Sequence, residues 1–532
     1  MSEVLRIHDE DNAIVALTDL PAGPLSYQGR QVQLAERIPQ KHKFLSSPVQ
    51  KGKKVTMYGV PVGVANEDLA EGSLLTIENT THFADPAFIS EAPYAWQAPD
   101  VSAWKKQTFM GYHRPDGKVG TANLWLFIPL VFCENRNLKF IEGALNKSLG
   151  YEKPNQYEAY VADKLEQSLD LRPPRTDRIF ENLDGFRFLY HDGGCGGTRQ
   201  DSETLLRLLA GYVHHPNVAG ATVLSLGCQH AQIEWFQEIQ QELYPQSQKP
   251  IVYVEQQKLL SEEKTITTAI DQTLEYLPEV NRIQREPAGL DKLVVGLECG
   301  GSDGFSGISA NPAIGRTSDL LVALGAITIL SEFPELNGVE QNILDRCVTR
   351  NLGEKFLQLT QAYEERAQAV GSGFDMNPSP GNIKDGLITD AIKSAGAAQK
   401  GGTSPVCDIL DYTEPAVHPG LNLLCTPGND VESTTGMAGS GANLILFSTG
   451  LGTPTGNPIT PVIKISSNTD LSTRMEDIID INAGTIITGE DSIESMGEAI
   501  LESIIETASG KPTKAMNLDQ HDFILWKRGV SL

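Results

Sequence analysis

The chain has 532 residues, with 43 Lys and Arg against 68 Asp and Glu and a formal net charge of −25. At about 150 residues per domain the length predicts three or four domains, and a hydrophobic share of 40% supplies their cores. The acid excess argues against a nucleic-acid partner, whose phosphates need clustered Lys and Arg, and against docking on an anionic membrane.

Residues 1–83 read as an all-β module. Short alternating runs at 4–7, 14–17, 30–34 and 54–60 sit between turn signals such as Pro21-Ala22-Gly23 and Gln28-Gly29-Arg30. The start of the chain is polar and alternating, without a basic or apolar stretch, so no secretory signal is expected. Residues 84–106 read as a linker. Pro86, Pro93 and Pro99 break regular structure, and Trp96 and Trp104 suggest a tether packed on a surface.

From 107 the pattern alternates between β and α. In a middle region, 107–285, an apolar run at 124–132 is too short to span a bilayer and contains Pro129; it reads as a buried strand or loop. A strand at 186–190 leads into His191-Asp192-Gly193-Gly194-Cys195, a helix is expected over 201–213, and a strand at 221–226 leads into Gly227-Cys228-Gln229-His230. A strand at 251–254 follows. After Arg285-Glu286-Pro287-Ala288-Gly289 a C-terminal region, 286–532, opens with a strand at 293–297 running into Glu298-Cys299-Gly300-Gly301-Ser302-Asp303. Further strands are expected at 327–331, 421–424, 444–447 and 462–465. Apolar strands with helices between them predict α/β regions with largely parallel sheets, and ligand crevices at the carboxyl ends of the strands.

The seven cysteines (133, 195, 228, 299, 347, 407 and 425) are too sparse for a disulfide framework and point to a reducing, cytoplasmic setting. No CxxC, HExxH, GxSxG or P-loop is present. Gly450-Leu451-Gly452-Thr453-Pro454 is not a dinucleotide loop, because the third glycine falls at 456 and Pro454 and Pro458 would break the helix. Cys195, Cys228 and Cys299 each follow a strand beside a glycine, and Cys133 follows the 124–132 run. Thiolates at such edges can bind iron or an iron–sulfur cluster; the alternative is a set of small buried hydrophobes. His191 is a base, a ligand or a solvated loop histidine, and His230 and His42 carry the same ambiguity. His42 lies between Lys41 and Lys43, a basic spot able to receive a carboxylate. His214-His215 reads as structural, at a helix end. Clusters around 300–303, 377–382 and 427–430 are rich in Asn, Ser, Asp and Gly, which suit a sugar acid but also make ordinary turns.

Together, Gly111-Tyr112-His113-Arg114-Pro115-Asp116-Gly117, residues 191–196, His215-Pro216-Asn217, Leu226-Gly227-Cys228, Leu297-Glu298-Cys299-Gly300-Gly301-Ser302-Asp303, Ile308-Ser309-Ala310-Asn311-Pro312, 377–382, 427–430 and Gly452-Thr453-Pro454 resemble the altronate and galactarate dehydratase family over essentially the whole chain. Residues 1–83, including His42-Lys43 and Gly59, resemble its SAF-type β-clip module. Two departures stand out: Gln229 where Glu is typical, and a longer insert at 150–174.

The resemblance implies a hydro-lyase acting on a sugar acid, with D-altronate giving 2-keto-3-deoxy-D-gluconate as the leading expectation and galactarate or a related acid as the alternative. A non-catalytic sugar-acid sensor is a remote alternative. A base removes the C2 proton, the 3-hydroxyl leaves, and the enol becomes the keto acid. That proton is weakly acidic beside a carboxylate, so a divalent metal is expected, iron(II) or else manganese(II), with an iron–sulfur cluster still open. The expected ligands are His42, His191 and one or more of Cys195, Cys228 and Cys299, with Cys133 as a further thiol and Asp303 as an oxygen donor. A histidine or Lys43 would be the base, and Ser302, Asn311, Asn382, Asn429 and Asp430 would hold substrate. His191→Ala is expected to cut turnover by orders of magnitude with the fold intact. Base rates favour a homodimer.

Overall fold

The computed structural model describes residues 2–89, 94–153, 155–165 and 177–529. Pro93 of the expected linker and part of the 150–174 insert lie outside the described residues. The chain forms two units: residues up to Phe109 with Ala288–Asp522, and Met110–Pro287 with the C-terminal residues from Phe523.

The first unit begins all-β. Val4–Leu5, Ala13–Ala16 and Lys43–Leu45 make an antiparallel sheet, Gly23–Tyr27 and Arg30–Leu34 a hairpin, and Lys54–Met57, Val60–Ala65 and Thr80–Thr81 a second small sheet. The single strand expected over 54–60 is two strands. Tyr58 (φ 59°) and Gly59 (φ 74°) both take left-handed conformations, and two such residues make the hairpin turn that matches the twist of paired strands. Apolar residues flank that turn on both sides, so hydrophobic pattern did not reveal it. The segment expected as a linker is tied down within this unit: Phe88 and Gln341 exchange hydrogen bonds of 2.9 and 3.0 Å, Trp96 Nε1 donates to Thr403 Oγ1 at 3.1 Å, and Trp104 is buried.

The rest of this unit is a seven-stranded sheet. Its order is Val406–Leu410, Gly420–Leu424, Ile327–Leu330, Val294–Cys299, Leu444–Thr449, Val462–Ser466 and Ile481–Asn482, with every neighbouring pair parallel. The central strands are apolar along their length because helices such as Ala310–Ala323 cover the sheet. From Val294–Cys299 the chain builds outward on one side and then returns to add Leu444–Thr449 on the other. In parallel sheets such a reversal marks the expected ligand crevice, outside the carboxyl ends of these two strands. The β module packs against this half, with Val15, Leu45, Val55 and Met57 sharing one core with Phe305, Ile308, Leu387 and Ile392.

The second unit holds a four-stranded parallel sheet in the order Gly185–Phe188, Leu124–Pro129, Val218–Ser225 and Ile251–Glu255. Helices Asn135–Leu149, Arg199–Val213, Ile233–Leu243 and Glu262–Val280 accompany it. The architecture is thus an all-β module followed by α/β regions with parallel sheets, as the sequence pattern predicts. No described helix is long and apolar enough to cross a membrane.

Candidate functional site

The crevice predicted by the strand order is lined by the loop after Val294–Cys299. Gly450 N and Leu451 N both donate to Gly301 O at 3.0 Å, tying this loop to the one leaving Leu444–Thr449. Gly300 must be glycine, because a Cβ there would collide with Asp430 Oδ2 and with the Phe447 ring.

At one end of the loop lies a buried charged cluster that joins Cys299 and Asp430 to charged residues the sequence does not single out. Glu298 and Cys299 end their strand, and Glu332 stands just past Ile327–Leu330 in a left-handed conformation (φ 66°) rare for a residue other than glycine. Lys400 Nζ donates to Cys299 Sγ and to Glu332 Oε2, both at 2.8 Å. Lys393 pairs with Glu335 at 2.6 Å. The Cys299 thiol donates to Glu335 Oε2 at 3.3 Å, and burial, ahead of the nearby charges, pushes its pKa well up. Cys299 is therefore hydrogen-bonded to both a lysine and a glutamate of the protein.

Glu298 is different. Its Oε2 accepts from Ser433 Oγ at 2.6 Å and Ser331 Oγ at 3.2 Å, but its Oε1 has no partner; Glu332 Oε1 also has none. Both carboxyl groups are fully buried, and oxygens of Glu298, Glu332 and Asp430 lie within 4.8 Å of one another. Burial and the neighbouring Glu332 carboxylate raise Glu298, and burial with Glu332 and Glu335 pushes Asp430 up to about 7. With all four carboxyl groups ionised, they would exceed the two ammonium groups here by two negative charges. Carboxylates in such contact require shared protons or a cation. An all-oxygen donor set with two orphaned oxygens fits one divalent cation such as Mn(II) or Fe(II).

At the other end of the loop lies Asp303, fully buried. It accepts from Ser467 Oγ (2.7 Å), Asn468 Nδ2 (3.1 Å) and Ser306 N (2.9 Å), and pairs with Lys41 at 2.9 Å. Lys41 also meets Asp385 at 3.2 Å; burial alone would lower its pKa, but the two carboxylates outweigh burial and raise it. Lys43 is buried, donates to Gly386 O at 2.6 Å, and is lowered by burial to about 7. His42 Nδ1 lies 3.2 Å from Gln40 O, which makes it the protonated nitrogen and leaves the lone pair on Nε2; burial keeps the ring's pKa below the usual histidine value.

The asparagines hold the scaffold. Asn382 Nδ2 donates to Ser302 O at 2.7 Å, Asn311 bridges Gly396 O and Ser448 Oγ, and Asn429 caps the helix Asp430–Gly439. The remaining expected residues, Cys133, His191, Cys195 and Cys228, belong to the second unit. There His191 is buried with both nitrogens engaged: Nε2 bonds Pro129 O at 2.7 Å and Nδ1 accepts from Gly193 N at 3.1 Å. Burial lowers its pKa to about 4, so the ring is neutral with no lone pair left for a metal or proton. Among the described residues, two groups of three ligand atoms lie within 4.8 Å of one another, Glu298 with Glu332 and Asp430, and Cys299 with Glu332 and Glu335; neither contains His191 or His42.

Three family profiles match the chain in succession: the altronate/galactarate dehydratase SAF domain over 2–82, the second domain of D-galactarate dehydratase/altronate hydrolase over 111–281, and the C-terminal D-galactarate/altronate dehydratase domain over 290–531. Altronate dehydratase of Escherichia coli (strain K12) is 33% identical over 533 residues, covering all of both chains. The chain belongs to the altronate/galactarate dehydratase family. Altronate dehydratase of Bacillus subtilis (strain 168) is 31% identical, again over the full length of both chains. The L-threo-forming galactarate dehydratase of E. coli is 31% identical over 95% of this chain and 93% of its own. Like other altronate/galactarate dehydratases, this chain is a hydro-lyase for sugar acids. Of its buried charged groups, Glu332, Glu335, Lys393 and Lys400 went unread in the sequence. Glu332 follows its strand as Cys299 ends its own, and that shared position was the available signal.

Proposed function

We propose that this enzyme dehydrates a six-carbon aldonate of the altronate type, giving the 2-keto-3-deoxy acid and water, at the carboxyl edge of the seven-stranded sheet. Full-length similarity to two altronate dehydratases supports the substrate class. The observation that carries the site is the pair of unpartnered, buried oxygens on Glu298 and Glu332 beside Asp430.

Removing the C2 proton next to a carboxylate builds up negative charge, and a chain of net charge −25 needs a local positive centre to receive it. Lys41 does not supply one, because Asp303 and Asp385 already balance it. Glu298, Glu332 and Asp430 would hold a divalent cation, which supplies Lewis acidity toward the substrate carboxylate and the departing hydroxyl. Lys393 and Lys400 keep the cradle from repelling an anionic substrate. His42 is the base in this reading: neutral at pH 7, half-buried, with its tautomer set by Gln40 O. Lys43 and Asp303 position it. Lys43 is anchored on Gly386 and its charge adds to burial in lowering the pKa of His42, while Asp303 holds Lys41.

The test is keto-acid formation across a panel of aldonates and aldarates, with His42→Gln beside the wild type. D-Altronate should be the best substrate, and His42→Gln should lose about 100- to 10,000-fold in kcat with an unchanged melting temperature. Preferred turnover of galactarate, or near wild-type kcat for His42→Gln, overturns the substrate or the base respectively.

A further inference from the structure

The second unit contains three cysteines, and they follow three adjacent parallel strands. Cys195 follows Gly185–Phe188, Cys133 follows Leu124–Pro129, and Cys228 follows Val218–Ser225. All three thiols are free and exposed. Exposed free thiols are a chemical liability, and three on one sheet edge call for an explanation.

The segments carrying them are locked together by backbone. Phe132 N donates to Gly193 O at 3.1 Å, and His230 N and Ala231 N donate to Gly194 O at 3.1 and 3.3 Å. Gly194 (φ 95°) packs so closely on the Leu130 carbonyl that a Cβ would collide with it. His191 pins Pro129 O to Gly193 N. Gln229 secures the Cys228 turn: its amide donates to Ser225 Oγ at 2.6 Å and Ala231 O at 3.0 Å, and its carbonyl accepts from Gly227 N at 2.7 Å. A glutamate could not donate those two bonds, which gives the departure at 229 a local reason.

The spacing argues against a single tetrahedral ion. A single tetrahedral ion with metal–sulfur bonds of about 2.3 Å draws its thiolates to within about 3.8 Å of each other. These three sulfurs do not all fall within 4.8 Å of one another, although ligand atoms elsewhere in the chain do. A cluster of several irons spreads its thiolates further apart. We infer that Cys133, Cys195 and Cys228 together ligate one [4Fe–4S] cluster, leaving its fourth iron without a protein thiolate. The thiols belong to the second unit and the carboxylates to the first, and the inference does not depend on the substrate proposed above.

The test is spectroscopic. The full chain is purified anaerobically, or reconstituted with ferrous iron, sulfide and a thiol reductant, and assayed for iron, acid-labile sulfide, visible absorption and the electron paramagnetic resonance of the reduced form. About four irons and four sulfides per chain are expected. Cys133→Ser, Cys195→Ser and Cys228→Ser should each lose most of both, with circular dichroism unchanged, while Cys407→Ser keeps them. Iron without sulfide, no iron after reconstitution, or a cluster that survives in the three folded variants overturns the inference.

Discussion

The ammonium of Lys400 lies 2.8 Å from the sulfur of Cys299, and both groups are buried. Cys299 is thereby engaged by a cation that the protein supplies itself. Lys400→Met leaves Glu332 and Cys299 buried without that cation and should cost about 3–5 kcal/mol. Cys299→Ala leaves Lys400 paired with Glu332 and should cost only about 1–3 kcal/mol. Denaturant unfolding of the two variants checks the order; a larger loss for Cys299→Ala would show that the thiol matters more than the ion pair.

The cradle of Glu298, Glu332 and Asp430 should bind Mn(II). At a free concentration 100 times its Kd, the ion should raise unfolding free energy by about 2.7 kcal/mol. Glu332→Gln should remove most of that gain. Without metal, Glu298→Gln should be no less stable than wild type, because burial and the Glu332 carboxylate already favour the neutral form of Glu298. Calorimetric titration and melting curves with and without Mn(II) measure both effects, and an equal metal-induced shift in Glu332→Gln would place the ion elsewhere.

Lys43 and Asp430 give the metal-free protein opposite pH responses. Asp430 is raised from 3.8 to about 7, so the folded state holds its proton more tightly and stability falls as pH rises from about 4 to 7. Lys43 is lowered from 10.5 to about 7, so above pH 7 the unfolded state binds the extra proton and stability rises toward pH 10.5. Each group contributes a slope of at most about 1.4 kcal/mol per pH unit. Lys43→Met should flatten the upper limb and leave the lower one. Stability measured from pH 5 to 10 tests this, and an unchanged upper limb would exclude Lys43 as its source.

His191, read from sequence as a metal ligand or base, is held neutral between Pro129 O and Gly193 N. Its pKa is lowered from 6.5 to about 4, so its contribution to stability is full above 6.5 and is lost as pH falls toward 4. His191→Ala should destabilise the second unit by about 1–3 kcal/mol through two unpaired backbone groups. Hydrogen exchange at Gly193 and thermal unfolding read this directly. Loss of turnover with unchanged stability would restore the catalytic reading.

The family and the α/β class were legible in the sequence, because strand periodicity and glycine-flanked strand ends are local patterns. Glu298-Cys299, Cys195 and Cys228 following three strands were visible in the same way, although the first strand in fact runs through Cys299. The hairpin turn at Tyr58-Gly59 was not, since it lies inside an apolar run. What only the tertiary structure decided is which of these residues meet. Lys400 and Cys299 are 101 positions apart, and Ser433 and Glu298 are 135 apart. Their contact follows from placing Val294–Cys299 between Ile327–Leu330 and Leu444–Thr449. The same strand order divides the cysteines, leaving Cys299 in one unit and Cys133, Cys195 and Cys228 on three neighbouring strand ends of the other. Side-chain type and spacing along a strand are set within a few residues. The partner of a buried charge is set by sheet order and burial, which depend on the whole chain.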